Sequence, residues 1–472
     1  MKRTVNPLLA LDELIPDVEA RIFTGSDHKE RLFLYGSRDL YDQGTWCSHQ
    51  YRVYSAPLTN LADWTDHGVS FASRKGEGYF WDDEEADGVS WNDAILYAPD
   101  VIDKDGKYWL ASCFSGGGLG MSVSDVPEGP FSPAERIVYD DGLELGSIDP
   151  TLYVEDDRFY LIWGQRQTFG GEGLVGVELS QNQNGMYSIA KRSSKKYLFG
   201  DRDNPDQGFG FYEGASIRKI QNRYYILYPS DKGQGIHMMS YATANHPLGP
   251  YTYQGHILDN DGCDLQPGNN HGSICEVNGT WYIFYHRGFG NSNMRRRVCV
   301  EALQMDEDGK IQIATMTNHG FEGPPSPYER IEASYVTHVR INGYPASCFI
   351  DKVERGKDRI YPLVQIKDGN CVEYKDFHFG EAVGEMSIHM ELKPLNVGKI
   401  KVRLDDPEGP EIGLLQISPG MGQEWIVMEE EILDTTGIHT IYFEFESEQN
   451  EGFCEIAAFW FLKNKKLRFP QC

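Results

Sequence analysis

At 472 residues the chain exceeds what one hydrophobic core ordinarily organises, so two domains are the starting expectation. A composition of 40% hydrophobic and 24% charged residues excludes a disordered or fibrous chain, and a net charge of −27 argues against nucleic acid or an anionic membrane surface as partner. Aromatic content of 12% with 50 glycines suits a β-rich protein with many tight turns, and flat rings on which the faces of sugars stack.

The N-terminus carries Lys2 and Arg3, but Asn6-Pro7 and Asp12-Glu13 interrupt the apolar stretch too early for a secretory signal. No segment offers the roughly 18 apolar residues of a membrane span. Nine scattered cysteines without a CxxC pair indicate neither a zinc site nor a disulfide framework, and a reduced cytoplasmic protein is the expectation. Short aromatic strands then recur: Arg31-Leu32-Phe33-Leu34-Tyr35, Lys107-Tyr108-Trp109-Leu110, Arg158-Phe159-Tyr160-Leu161-Ile162-Trp163, Arg223-Tyr224-Tyr225-Ile226-Leu227-Tyr228 and Thr280-Trp281-Tyr282-Ile283-Phe284-Tyr285. Turn signals precede most of them, among them Asp105-Gly106, Asp156-Asp157, Gln221-Asn222 and Asn278-Gly279. A second repeated piece, Val126-Pro127-Glu128-Gly129-Pro130-Phe131, is echoed by His246-Pro247-Leu248-Gly249-Pro250-Tyr251. Five such signals, about 50–75 residues apart, predict a five-bladed β-propeller, and helical periodicity is scarce throughout, so the fold class is all-β.

The run Met294-Arg295-Arg296-Arg297 interrupts the general acidity and reads as a solvated rim. At Gly323-Pro324-Pro325-Ser326-Pro327 a linker begins, and beyond it alternating strands such as Lys399-Ile400-Lys401-Val402-Arg403-Leu404 predict a β-sandwich of jelly-roll type. The expected domains are therefore residues 1–325 and 326–472.

Cleaving a glycoside takes a proton for the leaving oxygen and a nucleophile at the anomeric carbon, commonly supplied by two carboxyl groups in different environments. Three carboxyl groups stand at blade starts beside small or rigid residues: Asp17 in Pro16-Asp17-Val18, Asp149 in Ser147-Ile148-Asp149-Pro150 and Glu213 in Tyr212-Glu213-Gly214. Each alone is an ordinary turn or capping residue. Inner strands of a propeller converge on its axis, where the three would share one pocket.

In this order the segments resemble glycoside hydrolase family 43, from Asn6-Pro7 through Tyr35-Gly36-Ser37-Arg38-Asp39, Tyr97-Ala98-Pro99-Asp100-Val101, Ile148-Asp149-Pro150, Glu213-Gly214 and Asn270-His271-Gly272-Ser273 to Tyr285-His286-Arg287. The resemblance implies Asp17 as general base, Glu213 as general acid and Asp149 as the carboxylate that raises and orients the acid. It implies inversion, with Asp17 and Glu213 about 6.5–9.5 Å apart around one water. It also implies Tyr97, Asp100 and Arg287 as substrate-binding residues, and His271 as the axial contact of a calcium ion, the alternative for His271 being a buried hydrogen-bonded histidine. No organic cofactor is implied. Tyr97 stands where the family usually has Trp, and Val18 where many members have Pro or Gly.

The C-terminal part resembles carbohydrate-binding module family 6 through Ile331-Glu332-Ala333, Asn370-Cys371-Val372-Glu373-Tyr374, Gly437-Ile438-His439-Thr440-Ile441-Tyr442 and Phe459-Trp460-Phe461. Ser334 replaces an acidic residue of the family's structural calcium site, and sugar-gripping loop aromatics are not evident. The sandwich is expected to buttress the propeller and shape the pocket rim. Fructan hydrolases of family 32 share the domain pairing, but their Asn-Asp-Pro-Asn, Arg-Asp-Pro and Glu-Cys motifs are missing. A non-catalytic sugar-binding propeller would have no need of all three acids, and interaction propellers repeat more regularly. The expected activity is that of an exo-acting, inverting α-L-arabinofuranosidase on an arabinose- or xylose-containing oligosaccharide, with β-D-xylosidase or a bifunctional enzyme next.

Overall fold

The computed structural model describes residues 4–42, 44–74, 91–146, 148–200, 209–231, 237–259, 269–290, 292–339, 341, 343–381 and 384–464. Met1, Lys2 and Arg3 of the N-terminal reading, and Ser147 beside Asp149, lie outside them. Among the described residues strands dominate, with three short 3₁₀ turns and no α-helix.

Five antiparallel sheets follow one another along the first two thirds of the chain. Their first strands are Glu19–Thr24, Leu96–Lys104, Thr151–Glu155, Ser216–Ile220 and Ser273–Val277. Each pairs with the aromatic strand that the sequence signals: Glu30–Tyr35, Lys107–Phe114, Arg158–Gln165, Arg223–Asp231 and Thr280–Phe289. Three of these hairpins turn through two residues of positive φ, Asp105-Gly106, Asp156-Asp157 and Asn278-Gly279, the geometry that matches strand twist. The first strands also touch one another in a ring, each meeting the next and Ser273–Val277 meeting Glu19–Thr24. That ring makes the five sheets the blades of a propeller.

A separate hydrophobic core fills each gap between blades. Phe33, Tyr35, Leu96 and Leu110 meet between the first and second, and Leu32, Leu34, Phe284 and Val300 between the fifth and first. The aromatic strands are therefore buried on both faces, which explains their near-continuous apolar character. The fifth sheet has only three strands, ending in Ser292–Ala302. The chain's own beginning covers its edge: Leu8 N donates to Val298 O at 3.1 Å, and Asn6 exchanges bonds with Val300 in both directions, at 2.7 and 2.8 Å. Fastening N-terminus to last blade closes the ring and removes an open edge.

The C-terminal part is a two-sheet sandwich. One sheet orders Phe349–Ile350, Leu363–Ile366, Cys454–Asn464, Glu385–Pro394 and Ile426–Ile432, with Ile331–Glu332 also on Cys454–Asn464; the other orders Cys371–Gly380, Gly437–Glu446, Gly398–Leu404 and Glu411–Ile417. Alternation is clean in Gly398–Leu404: Ile400, Val402 and Leu404 enter the core. Lys401 and Arg403 emerge on the other face and pair with Glu444, Glu446 and Glu411, so a ladder of charges covers it. Glu332 is engaged by Arg330 at 3.2 Å, and Ser334 is buried. The seven described cysteines are buried thiols.

Candidate active site

Each chemistry-bearing residue is placed by the start of an inner strand. Asp17 precedes Glu19–Thr24, Asp149 precedes Thr151–Glu155, Glu213 precedes Ser216–Ile220, His271 precedes Ser273–Val277, and Tyr97 is the second residue of Leu96–Lys104. Because these strands converge on the axis, their starts open onto one cavity of about 380 Å³, lined by all five residues together with Trp46, Gln165, Phe169, Tyr212, His237, Asn269 and Arg296. Asp17 and Asp149 hold left-handed φ values of 59° and 56°, which the short polar Asp side chain tolerates. At position 214, with φ of 59°, a Cβ would lie 2.7 Å from His271 Cε1, so glycine is what lets the histidine approach Glu213's turn.

Asp17 is almost fully enclosed. Its Oδ2 accepts from the Ser37 hydroxyl at 2.8 Å, and its Oδ1 from Arg296 Nη1 at 2.9 Å. The Asp17 backbone N–H donates to His286 Nδ1 at 3.2 Å. His286 Nε2 lies 2.7 Å from Asn269 Oδ1, so the hydrogen-bond pattern assigns the proton to Nε2 and leaves a neutral ring. Burial, then the Arg296 charge, keep that imidazole well below its ordinary value. His271 Nδ1 sits between two carboxylates, 3.9 Å from Asp17 and 3.8 Å from Asp149.

The electrostatics separate the acids. Burial alone pushes Asp17 up, but the Arg296 guanidinium, the largest opposing influence, together with the Ser37 hydroxyl helps hold the carboxyl below its ordinary value of 3.8. Glu213 is pushed up from 4.5 to about 7, chiefly by burial; the Gln165 amide opposes this and the Asp17 charge adds to it. Asp149 is raised well above 3.8 by burial, then by Glu213 and Asp17. One carboxyl is held ionised while another is poised to titrate near neutral pH, the division of labour that acid–base hydrolysis requires.

Two residues expected to bind substrate do not line the cavity. Asp100 is fully buried, accepting from Arg21 Nη2 at 2.7 Å, Thr151 Oγ1 at 2.9 Å and Leu152 N at 2.7 Å. The strand shifts register between Tyr97 and Asp100, which leaves Tyr97 in the pocket and sends Asp100 to tie the first three inner strands together. Arg287 is also buried, its Nε donating to Cys299 Sγ at 3.2 Å. Side chains alternate along a strand, so with His286 facing Asp17 its neighbour faces away.

The guanidinium in the pocket is instead Arg296, from the run read as a solvated rim. It is 4% exposed, and besides Asp17 it holds Asp39 through Nε at 2.8 Å and Nη2 at 2.9 Å. The available signal was Asp39 itself, an acidic residue two positions after Ser37 in the strand-end motif. Trp46 supplies an aromatic wall, with the Arg296 guanidinium 4.7 Å over its ring. Tyr212, also in the lining, carries Arg166 at 4.1 Å and meets Phe169 edge-on at 5.2 Å, Phe169 being 49% exposed.

Among the described residues no group of three or more His, Cys, Asp or Glu side chains is arranged to hold a metal ion. His271 Nδ1 lies beyond hydrogen-bond reach of both neighbouring carboxylates, at 3.9 and 3.8 Å.

Comparison with known proteins bears on this geometry. Residues 29–311 match the model of glycosyl hydrolases family 43, and residues 352–463 that of carbohydrate binding module family 6. A xylosidase/arabinosidase of Thermoclostridium stercorarium is 29% identical, covering 94% of this chain and 96% of its own length. An arabinoxylan arabinofuranohydrolase of Bacillus subtilis (strain 168) is 27% identical over 88% of this chain and 85% of its own. Among solved structures, a β-xylosidase/α-arabinofuranosidase from a compost microbial metagenome, in complex with xylotriose, covers 66% of this chain and 98% of its own at 26% identity, with a TM-score of 0.51.

Proposed function

Because the chain belongs to glycosyl hydrolase family 43, and is thus a glycoside hydrolase with a carbohydrate-binding module, we propose that it is an exo-acting, inverting α-L-arabinofuranosidase that releases arabinose from plant-type oligosaccharides. The observation that carries this reading is the pairing of an Asp17 held ionised by Arg296 with a Glu213 raised to about 7 in one small cavity. Asp17 removes a proton from water as the oxygen attacks the anomeric carbon. Glu213 gives its proton to the departing oxygen as the glycosidic bond breaks, and solvent restores both groups. Asp149 and His271 hold the two acids in register. Trp46 and Tyr97 offer ring faces to the sugar.

The choice of sugar is supported by the relatives that match both parts of this chain, named for arabinosidase and arabinofuranohydrolase activity. A β-D-xylosidase or bifunctional activity is the second reading, favoured by the word xylosidase in the name of the Thermoclostridium relative. The test is hydrolysis of p-nitrophenyl α-L-arabinofuranoside against p-nitrophenyl β-D-xylopyranoside, with Asp17→Ala as control. Cleavage that disappears in the variant supports the reading, and the faster substrate decides the sugar; cleavage that survives in Asp17→Ala overturns it. Proton NMR of the first-formed anomer tests inversion.

Extensive dialysis against EDTA tests the calcium expectation at His271: kcat/KM within about twofold of the untreated enzyme would leave His271 a buried histidine without an ion, whereas a tenfold loss restored by calcium would assign the ion a role.

A further inference from the structure

We propose that the sandwich is a working part of the active site, with Tyr41, Asp351 and Arg297 acting as positioning residues for Arg296 and, through it, for Asp17. The observation is how the run Arg295-Arg296-Arg297 divides across one strand, Ser292–Ala302. Successive side chains point to opposite faces, so Arg296 reaches Asp17 and Asp39 while its neighbours turn away from them, Arg295 to Tyr41 and Arg297 to the sandwich. Arg297 Nη2 donates to Ser334 O at 2.8 Å. Arg295 Nε donates to Tyr41 O at 2.8 Å, and its guanidinium lies 3.9 Å from the centre of the Tyr41 ring.

Tyr41 is gripped in turn from the sandwich side. Its hydroxyl donates to Asp351 Oδ1 at 2.7 Å, the Lys352 ammonium lies 4.7 Å from its ring and pairs with Asp42, and the Tyr361 ring is 5.9 Å away. The approach is close: a Cβ at Gly290 would stand 2.7 Å from Ile350 O. Two residues before Tyr41 is Asp39, the second carboxylate on Arg296. The sandwich thus reaches the Asp39–Arg296 pair from two sides: through Tyr41, which Asp351 holds and which Arg295 bonds, and through Ser334, which Arg297 bonds. A base must be held within a fraction of an ångström of the attacking water, and bracing of this kind supplies that constraint.

The inference rests on the proposed role of Asp17, so the test separates the two. Tyr41→Phe, Asp351→Ala and Asp351→Asn are made in the full chain, and kcat/KM is followed against pH. Tyr41→Phe and Asp351→Ala are each expected to lower kcat/KM roughly tenfold, with a double variant no worse than either, since both break one contact. Asp351→Asn keeps an acceptor oxygen and is expected to restore most of the activity. The acid limb is expected to move upward in Tyr41→Phe and Asp351→Ala, because among the groups facing Asp17 (Arg296, His286, His271, Ser37 and the Asp39, Asp149 and Glu213 carboxyls) Arg296 is the one set loose. Should Asp351→Ala fail to fold, Tyr41→Phe, which deletes one oxygen atom, carries the test. Wild-type kcat/KM and an unchanged acid limb in Tyr41→Phe, with or without lost heat stability, would overturn the inference while leaving Asp17 in place. Activity surviving in Asp17→Ala would overturn both.

Discussion

Asp17→Ala should lower kcat/KM by roughly 10²–10⁴-fold on every glycoside the enzyme cleaves, whereas Glu213→Gln should do so only where the leaving group is poor. The base is needed whatever departs, because water must lose a proton as it attacks. The acid is needed in proportion to the basicity of the departing oxygen: p-nitrophenolate leaves unaided, while a sugar hydroxyl does not. The pH profile carries the same signature. In its proposed role as acid Glu213 must be protonated, so wild-type kcat/KM should fall as pH rises through about 7. Asp17 must be ionised, and since Arg296 holds it below 3.8 the acid limb should lie below that value. In Glu213→Gln, assayed on the aryl substrate, the alkaline limb should disappear. Equal losses on good and poor leaving groups, or an alkaline limb that persists, would remove Glu213 from the role of acid.

Stability adds an independent reading of the same carboxyl. Its folded-state value lies above the ordinary 4.5, so its proton-bound form favours the fold fully below pH 4.5, and this contribution is lost as pH rises through about 7. A glutamine never ionises. Glu213→Gln should therefore match the wild type at acid pH and exceed it above neutrality, by on the order of 3 kcal/mol at about 1.4 kcal/mol per unit. Urea denaturation at pH 4 and pH 8.5 checks the sign. A variant that loses activity while gaining stability has lost a functional group, not a structural one.

The parts of this molecule that were legible in its sequence are those whose signal is local. The five aromatic strands stand out because blades pack on both their faces: Phe33, Leu34 and Tyr35 are 0%, 0% and 2% exposed, and no polar alternation dilutes the run. The turns Asp105-Gly106 and Asn278-Gly279 were legible because positive φ demands those residues. What could not be read locally is pairing at long range. Asn6 closes the propeller by bonding a strand 294 residues away, and Arg296 meets Asp39 and Asp17 at separations of 257 and 279. A run of three arginines in an acidic chain resembles a solvated rim until a fold divides it between a buried site and a neighbouring domain. Asp100 and Arg287 lie outside the cavity lining for a related reason: a register shift and the two-residue period of a strand decide which face a side chain takes, and neither shows in a motif string.

Arg296→Leu is the substitution that should damage fold and chemistry together. It strips Asp17 of the Nη1 bond and Asp39 of two more, leaving carboxylates that are 6% and 2% exposed without their cation. Removing one partner of a buried ion pair typically costs about 3–5 kcal/mol, because the remaining charge has neither water nor counter-ion. The sign against pH follows from Asp17, whose depressed folded-state value contributes stability above 3.8 that is lost on acidification. The deficit of Arg296→Leu should accordingly be greatest at neutral pH and shrink as both carboxyls protonate. In kcat/KM the acid limb should climb by more than about one unit, since a single opposite charge at hydrogen-bond distance shifts a carboxyl by about that much or more. Arg296→Lys should fall between: it returns a charge but not the planar fork that engages Asp17 and Asp39 together, so it should recover part of the stability and little of the rate. If Arg296→Leu proved as stable as the wild type at pH 7 and kept its acid limb, Asp17 would owe its ionisation to its other neighbours, the Ser37 hydroxyl among them, and the guanidinium would be reduced to a wall of the pocket.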